Sequence, residues 1–372
     1  MSSLDQPSAE MQAAVATSVV APPVAPVKAA VIGAGWYAAQ SHIPTLAARP
    51  DVLLDGVCRL GAGELEKVRA HFGFAFASQD YREVLARKPH VVVVASPHAM
   101  HFEHGMAALA AGAHVLCEKP MTLDPAQAWT LEATARNAGL GLVLANGYHY
   151  LPGLTQVRQA LFDGAVGRIE HVASSFVSAT RAVFEGDVGL ARWNTHFFRP
   201  SRSTWQDPDN GGGFAYGQLS HSVALTLWLT GLTARAVSAH NYCVDGNDLC
   251  NAASLLCRDG AVVSLSGAAA MPEGQRALLR LLVTGTDGVM EIELDRDRAV
   301  LHRHDGANRD FGIMPGQWAY HCEGPVHALV DLALGRGVNL TPGSVGAATV
   351  AVIAALQASS KNAGSSVPVF QP

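Results

Sequence analysis

A lysine stands where a buried strand is expected to end. The stretch from Val91 to Pro120 opens with four valines, continues with apolar residues at helical spacing, and closes with a short strand, His114 to Cys117. A strand without polar alternation is typical of a parallel sheet that is covered on both faces. Ligands of such sheets bind just beyond the carboxyl ends of the strands, where Glu118 and Lys119 follow. We therefore expect Lys119 to face a ligand, and an ordinary surface ion pair is the alternative.

A glycine-rich turn upstream predicts a dinucleotide site. The apolar strand from Lys28 to Ile32 precedes this turn, and a helix that we expect to reach about residue 48 follows it. Gly33 would make the tight turn, Gly35 would let the backbone approach a pyrophosphate, and Ala38 would stand where helix meets strand. Trp36 lies in the same turn, at the start of a helix whose free N–H groups favour phosphate. Strand-helix repeats, which the motif requires, follow with strands predicted at 53–58, 91–95, 114–117 and 141–145.

The sequence leaves the choice between NAD and NADP open. Sites that select NAD usually carry an acidic residue at the end of the second strand, where it holds the ribose hydroxyls. Arg59 occupies that place here, and Asp55 lies inside the strand. Arg59 is expected to pair with the 2′-phosphate of NADP or to lie on the adenine, and a solvated cation at a strand end is the alternative.

A triple glycine and a histidine mark the second half of the chain. The glycines at 211–213 precede an apolar helix that is predicted from Phe214 to Leu232. Gly217 and His221 are four residues apart and so share one face of that helix. A single histidine on an apolar helix is by itself more often a core residue than a catalyst.

These features, in this order, resemble the Gfo/Idh/MocA family of nicotinamide-dependent sugar and cyclitol oxidoreductases over roughly residues 28–369. The resemblance implies an α/β chain: a Rossmann domain, then an α+β domain whose large, mostly antiparallel sheet leaves one face open for subunit pairing. It implies that His221 is the base and that Lys119 orients the hydroxyl and stabilises alkoxide charge. Family members commonly carry Asp where Gly217 stands. The glycine is expected to open space for a bulkier substrate, such as a glycoside or a substituted cyclitol.

The resemblance also implies other contacts in the site. The loop that contains Ser96, Pro97 and His101 is expected under the cofactor, beside Glu118. Further residues are expected at the substrate: His149, Tyr150, Arg181, Trp193, His196 and Tyr216. The first two depart from the commonest family sequence, and packing at an interface is the alternative for both. Arg181 to Asp209 form a long insertion, which we expect to act as a lid or as an arm that reaches a neighbouring subunit.

Three histidines, His98, His101 and His104, raise the alternative of a metal site. Imidazoles spaced three apart drift across a helix face, and the sequence contains no H-E-x-x-H motif. We therefore predict no metal, and we favour helix capping and cofactor contact for this segment.

From Ile169 onward the periodicity changes to that of strands. Strands joined by short Gly or Asp turns indicate a largely antiparallel sheet. The predicted strands are 169–179, 234–244, 252–256, 261–268, 278–285, 289–294 and 299–303.

Length and composition predict a two-domain globular protein. The chain has 372 residues, of which 49% are hydrophobic and 15% charged. We expect a mobile tail at 1–27, a dinucleotide-binding domain at 28–147 and a substrate-binding and oligomerisation domain at 148–372.

The 26 basic and 31 acidic side chains show no basic cluster, which argues against nucleic acid as a partner. No apolar run is long enough for a membrane helix, and the six scattered cysteines favour buried thiols in a reducing cytoplasm.

Three functions are compatible with these features. The first is an NAD(P)-dependent dehydrogenase or reductase that acts on a secondary hydroxyl or ketone of a sugar, cyclitol or glycoside. The second is a glycoside hydrolase or lyase that oxidises its sugar transiently and then returns the hydride. The third is a homologue that binds the cofactor but catalyses no reaction. Arg59 and Gly217 suggest this function, because neither position carries the acidic residue that is usual there.

Overall fold

The computed structural model describes residues 26–185, 198 and 202–372. Within these residues the strands form two sheets, one of six strands and one of nine. The predicted combination of a Rossmann domain with a mostly antiparallel sheet is confirmed. The active-site predictions for Trp193 and His196 lie outside the described residues, as does most of the insertion that was expected to be a lid or an arm.

The first sheet is parallel and has the strand order β3-β2-β1-β4-β5-β6. Its strands are β1 Val27–Ile32, β2 Val52–Cys58, β3 Phe76–Ser78, β4 Val91–Val94, β5 His114–Cys117 and β6 Leu142–Leu144. All four valines of β4 are fully buried, as expected for a central strand with helices on both faces. The helices of this part are α1 Ile43–Ala47, α2 Ala62–Phe72, α3 Tyr81–Ala86, α4 His101–Ala110 and α5 Pro125–Asn137.

The second sheet has the order β14-β13-β12-β11-β7-β10-β9-β8-β15, and β7 and β10 are its parallel neighbours. Its strands are β7 Ile169–Val177, β8 Ala234–Val244, β9 Asn247–Cys257, β10 Val262–Ala268, β11 Leu278–Gly285, β12 Gly288–Glu293, β13 Arg298–Arg303, β14 Arg309–Asp310 and β15 Val367–Pro368. The helices of this part are α6 Leu154–Phe162, α7 Arg181–Glu185, α8 Arg202–Trp205, α9 Ser220–Thr230, α10 Glu323–Ala333 and α11 Gly343–Lys361.

Strand β9 begins five residues before its predicted start, because buried polar groups near its beginning have partners. The carboxylate of Asp248 accepts hydrogen bonds from the backbone N–H of Ala215 at 2.7 Å and from the Asn251 amide at 2.8 Å. A sequence pattern that treats polar residues as loop therefore missed this half of the strand.

The two helices predicted after the glycine-rich turn and after the triple glycine contain π-helical turns. One is Ala38–His42, directly before α1, and the other is Ala215–Leu219, directly before α9. Such turns insert an extra residue into a helix and are frequent at functional sites. Both turns contribute residues to the same cavity, which is described below.

The end of the chain returns to the first sheet. From α10, Val326, Leu329 and Val330 belong to the buried core on one side of that sheet, and Ala347 and Val350 of α11 belong to the core on its other side. The predicted boundary at residue 148 therefore separates the sheets but not the helices that cover them. By length and composition α11 passes as a candidate membrane span, with 61% of its most apolar window buried inside the fold.

The cysteines have no disulfide partners, but their burial differs from the prediction. Cys58, Cys117, Cys257 and Cys322 are buried, whereas Cys243 is exposed and Cys250 is half-buried. The last two lie in β8 and β9, where the alternation of a strand turns successive side chains to opposite faces.

Candidate active site

A cavity of about 1290 Å³ lies between the two sheets. Its wall combines the glycine-rich turn and the loops after β4 and β5 with residues from the end of β7, α7 and α9. Pockets for single drug-sized ligands usually measure about 300–1,000 Å³. The space is therefore sufficient for a dinucleotide together with a second small molecule.

The glycine-rich turn has the geometry that a pyrophosphate requires. Gly33 has a φ of +87°, and a β-carbon added there would lie 2.2 Å from the backbone nitrogen of Ser96. A β-carbon on Gly35 would meet only the Gly33 carbonyl, at 3.8 Å, so it would fill open space instead. Gly35 and Trp36 line the cavity, and Ala38 is buried in the core beside the turn. The turn thus offers a close backbone approach to a bound nicotinamide dinucleotide.

Arg59 lies in the cavity wall at the end of β2. Its Nη1 donates to the Ala34 carbonyl at 3.1 Å, and its guanidinium lies over the ring of Phe198, 3.9 Å from the centroid. Burial lowers the pKa of Arg59. Asp55 is unsuited to hold a ribose, because it is buried and forms a two-point ion pair with Arg87 at 2.7 and 2.9 Å.

His101 ties together two loops of the cavity wall. Its Nδ1 lies 2.8 Å from the Pro120 carbonyl and its Nε2 lies 2.8 Å from the Ser96 carbonyl. Ser96, Pro97 and His101 all line the cavity, and His104 contacts the Ser96 hydroxyl at 2.9 Å. These histidines therefore hold loops in place, and within the described residues no group of three or more His, Cys, Asp or Glu side chains is arranged to bind a metal.

Glu118 is a buried carboxylate with a histidine partner. Its Oε1 lies 2.7 Å from Nε2 of His42, and its Oε2 accepts the backbone N–H of Lys119 at 3.0 Å. Burial raises the pKa of Glu118, but the hydrogen bond from His42 and the charges of His42 and Lys119 outweigh it, so the pKa lies below its usual value. An ionised Glu118 therefore supplies negative charge at the start of the lysine loop.

Lys119 projects into the cavity with a neutral partner. Its Nζ donates to the backbone carbonyl of Gly217 at 2.6 Å and lies 5.4 Å from the ring centroid of Trp205. Burial lowers the pKa of Lys119, and the charge of Glu118 opposes that shift only partly. Among the described residues the Gly217 carbonyl is its hydrogen-bond acceptor, which leaves the other ammonium hydrogens to a ligand.

His221 lines the same cavity and is 5% exposed. Its Nδ1 lies 3.2 Å from Oδ1 of Asn146, the residue two positions after β6. An Nδ1–H that donates to Asn146 leaves the Nε2 lone pair free to accept a proton. Burial and, secondarily, the charge of Lys119 lower the pKa of His221 well below its usual value, so the imidazole is neutral at pH 7.

Gly217 does not open space beside Lys119, which corrects the expectation of a vacant position. A β-carbon there would lie 2.9 Å from Cζ of Phe184 and 3.2 Å from Cζ3 of Trp205. The two aromatic rings lie 6.2 Å apart and occupy the position that a carboxylate side chain would need. The absence of a side chain at position 217 thus leaves room for the rings of Phe184 and Trp205, and the Gly217 carbonyl accepts a hydrogen bond from Lys119.

Four residues that were predicted at the substrate lie outside the cavity. His149 is fully buried, with its ring edge against Trp228 at 5.0 Å. The Tyr150 hydroxyl contacts Thr341 at 3.1 Å, and Arg181 pairs with Glu185. The fourth, Tyr216, donates from its hydroxyl to the Leu123 carbonyl at 3.4 Å. Tyr150 and Tyr216 are held by residues that are remote in sequence, Arg181 pairs within its own helix, and His149 is packed against an aromatic ring of α9.

Several residues of the wall were not predicted. The thiol of Cys322 lies 2.6 Å from the Tyr37 hydroxyl and 2.8 Å from the Tyr320 hydroxyl, and all three residues line the cavity beside Glu118. Burial, with the charge of Glu118, raises the pKa of Cys322 to about 11, so the thiol is protonated. Asn146, which contacts His221 from behind the wall, could have been found from its position at the carboxyl end of a strand, whereas Cys322 lies far along the chain with no motif around it.

Comparisons with known proteins agree with this architecture. The profile of the oxidoreductase family with an NAD-binding Rossmann fold, Gfo/Idh/MocA, matches residues 27–146, and the profile of the Gfo/Idh/MocA C-terminal domain matches residues 154–291. A solved structure of levoglucosan dehydrogenase in complex with NADH superposes with a TM-score of 0.76 at 19% identity, covering 93% of this chain and 100% of that one.

Among curated proteins, D-glucoside 3-dehydrogenase of Escherichia coli is 32% identical over 221 residues, which is 58% of each chain. The NADP-dependent D-xylose 1-dehydrogenase of Hypocrea jecorina is 40% identical over 79 residues, 21% of this chain and 20% of that one. The chain thus spans less than two thirds of the length of these curated relatives. Both family profiles, the fold and the cavity with its glycine-rich turn agree, and the chain belongs to the Gfo/Idh/MocA family of oxidoreductases.

Proposed function

We propose that this protein is an NAD(P)-dependent dehydrogenase or reductase that transfers a hydride between the cofactor and a secondary hydroxyl or ketone of a sugar, cyclitol or glycoside. The observation that carries the proposal is that Lys119 and His221 line one cavity together with the glycine-rich turn. The named activities of the curated relatives support the same class of reaction.

In this proposal the two side chains divide the proton chemistry of the hydroxyl. His221 is neutral and orients Nδ1 toward Asn146, so its Nε2 accepts the hydroxyl proton during oxidation. Lys119 donates to the same oxygen and stabilises the negative charge that develops on it. A nicotinamide, when bound, supplies the hydride acceptor.

The residues of the cofactor end fit such a group. Gly33 and Gly35 would let the pyrophosphate approach the backbone, while the loop of Ser96 and His101 would support the cofactor from below. Arg59 and the absence of a free carboxylate from the end of β2 are compatible with both NAD and NADP.

The decisive experiment uses the purified full-length protein. Denaturation identifies any nicotinamide that the protein releases, and sugars, inositols and glycosides are then screened for a change in absorbance at 340 nm. A steady change supports the proposal, and His221→Asn is expected to reduce its rate by about 10²-fold or more. An unchanged rate in this variant would remove His221 from the role of base.

Two other outcomes would replace the proposal. Release of an aglycone without net turnover of the cofactor would indicate transient oxidation by a hydrolase or lyase. Tight binding of nicotinamide without turnover of any polyol would indicate a catalytically silent homologue, and Lys119→Ala would then leave its biological effect unchanged.

We further propose a cytoplasmic protein that pairs with a second copy of itself through the open face of the larger sheet. The reduced cysteines and the family membership support this proposal. On that face Leu256, Val262 and Leu282 are each at least 36% exposed. On the same face Arg298 pairs with Glu291 and Glu293, and Arg280 also lies 3.5 Å from Glu293, so the charge of these carboxylates is largely compensated where pairing would bury them.

A further inference from the structure

The wall around Lys119 is built differently from a site in which a carboxylate faces the lysine. The partner of its ammonium is the Gly217 carbonyl, at 2.6 Å, and this partner carries no net charge. The ring of Trp205 lies beside the same ammonium. The ring contact depends on the glycine at position 217, because a side chain there would displace the neighbouring rings.

The two aromatic rings leave no room for a side chain at position 217. Phe184 is 2% exposed, so its ring is packed against neighbours on most sides. A β-carbon on Gly217 would lie 2.9 and 3.0 Å from two carbons of that ring and 3.2 Å from the ring of Trp205. Contacts this short force the rings to move, and Trp205 would move relative to Lys119.

The rings also give the cavity an apolar surface beside the lysine. Phe184 and Trp205 line the cavity together with Val183, Phe176 and Tyr148. A hydroxyl or phosphate pressed against such a surface loses its water without gaining a hydrogen bond, which is unfavourable for a neutral polar group and more so for a charged one. An alkyl or aromatic substituent gains by the same burial.

Lys119 is engaged by the reacting hydroxyl in the proposed function, so a phosphate would need another cation. Arg276 lines the cavity, but its two Nη atoms donate to Asp297 at 2.8 and 3.0 Å. Its charge is therefore already compensated within the chain. A phosphorylated sugar would have to break this pair or remain without a guanidinium partner there.

We propose that Gly217, Phe184 and Trp205 form an apolar clamp that positions Lys119 and selects a neutral glycoside with an alkyl or aryl substituent over a free sugar or a sugar phosphate. This inference rests on the proposed function and defines its substrate class. The clamp is defined by these three residues. Within it Phe184 and Trp205 contact the substituent, whereas Gly217 acts through them and through Lys119.

The first test compares substrates with the full-length protein and saturating cofactor. Phenyl β-glucoside, methyl β-glucoside, glucose and glucose 6-phosphate are assayed at 340 nm. The expected kcat/KM falls in that order, with at least about a tenfold difference between phenyl glucoside and glucose, as an apolar pocket of this kind provides. Equal or better use of glucose or glucose 6-phosphate would overturn the inference.

The second test changes the clamp. Gly217→Ala is expected to lower kcat by about 10²-fold. The added methyl group displaces the rings of Phe184 and Trp205, and the Lys119 ammonium then loses its position relative to the reacting hydroxyl. Adding Phe184→Leu makes room for the methyl group and is expected to recover most of that loss. The matched control is Gly63→Ala in α2, where an added β-carbon meets nothing within 4 Å, and its kcat should equal that of the unmodified protein. Full activity of the single Gly217→Ala variant would overturn the positioning role.

A third variant keeps the inference testable if Gly217→Ala does not fold. Trp205→Gln removes the aromatic surface from a half-buried position and is expected to narrow the ratio of kcat/KM between phenyl glucoside and glucose by about tenfold. An unchanged ratio would contradict the clamp. If cofactor binds and none of the sugars, inositols and glycosides in the wider screen is oxidised, the proposed function itself fails, whereas oxidation of the four glucose compounds without preference refutes the clamp alone.

Discussion

At the scale of single residues, the site pairs two ionisable groups with neutral partners. Lys119 donates to a backbone carbonyl, and His221 contacts the Asn146 amide. A carboxylate in either place would favour the charged form and raise the pKa, whereas amide groups leave the cost of burial uncompensated. The pKa values of both groups are consequently below their usual values, which suits a base that must be neutral at pH 7.

The pH dependence of kcat/KM follows from these two shifts. Oxidation needs neutral His221 and protonated Lys119, so the rate falls when the histidine gains a proton or the lysine loses one. Because both pKa values are lowered, the acid limb is expected below pH 6.5 and the alkaline limb below pH 10.5. Asn146→Asp places a negative charge beside the imidazole and should move the acid limb to higher pH. An acid limb that stays in place in this variant would contradict the contact.

The second prediction is that Arg59 determines the preference between NAD and NADP. Arg59→Asp removes a cation from the cavity wall at the end of β2 and introduces a carboxylate that ribose hydroxyls can contact. The ratio of the Kd for NADP to the Kd for NAD is expected to rise by at least about tenfold, equivalent to about 1.4 kcal/mol. Isothermal titration with each cofactor measures it. Arg82→Asp, on a more exposed residue of the wall, is the control and should change the ratio less.

At the scale of elements, two π-helical turns contribute residues to the cavity wall. The glycine-rich turn joins β1 to the π-helical turn Ala38–His42, and a second π-helical turn, Ala215–Leu219, precedes α9. Their extra residues direct Gln40, Ser41 and Gln218 toward the cavity wall. Predictions based on regular helical periodicity have no means to place such insertions.

The glycines of the first turn are expected to respond differently to the same substitution. Gly33→Ala puts a β-carbon at positive φ and 2.2 Å from the Ser96 backbone, so it should destabilise the fold by at least about 1–3 kcal/mol. Gly35→Ala meets no such obstacle and should keep the melting temperature while weakening cofactor binding. Thermal unfolding and cofactor titration on both variants separate the effects. Equal loss of stability in both would contradict the assigned geometry.

At the scale of the whole molecule, the two sheets depend on each other. Helix α11 contacts α5 of the first part and β8 of the second, and α10 packs against the first sheet. An ion-pair network of Arg49 with Asp51 and Asp331 joins the chain after α1 to α10. The cavity between the sheets is consequently a feature of the complete fold and not of either domain alone.

The open face of the larger sheet provides the whole-molecule prediction. Val262 and Leu282 lie on that face, since their partners on β7, His171 and Ala173, are two residues apart. Val262→Glu with Leu282→Glu is expected to reduce the mass measured by light scattering to that of a monomer, because charges would be buried without partners. Val338→Glu, at an exposed position outside the sheet, should leave the mass unchanged. A monomeric unmodified protein, or an unchanged mass in the double variant, would contradict pairing through this face.

The sequence by itself determined the longer strands of both sheets, the glycine-rich turn and the position of Lys119 at a strand end, because these follow from local periodicity and from the residue types that a turn demands. It did not reveal the short strands β3, β14 and β15, which carry too few residues to show a period. Tertiary structure alone decided which side chains face the cavity. Tyr150 turns toward Thr341, and Phe184 and Trp205 fill the space beside Gly217. Asn146 meets His221 across 75 positions of sequence. Such contacts join residues that no local pattern relates, since the competition among distant neighbours for space and hydrogen bonds is resolved only when the chain is packed.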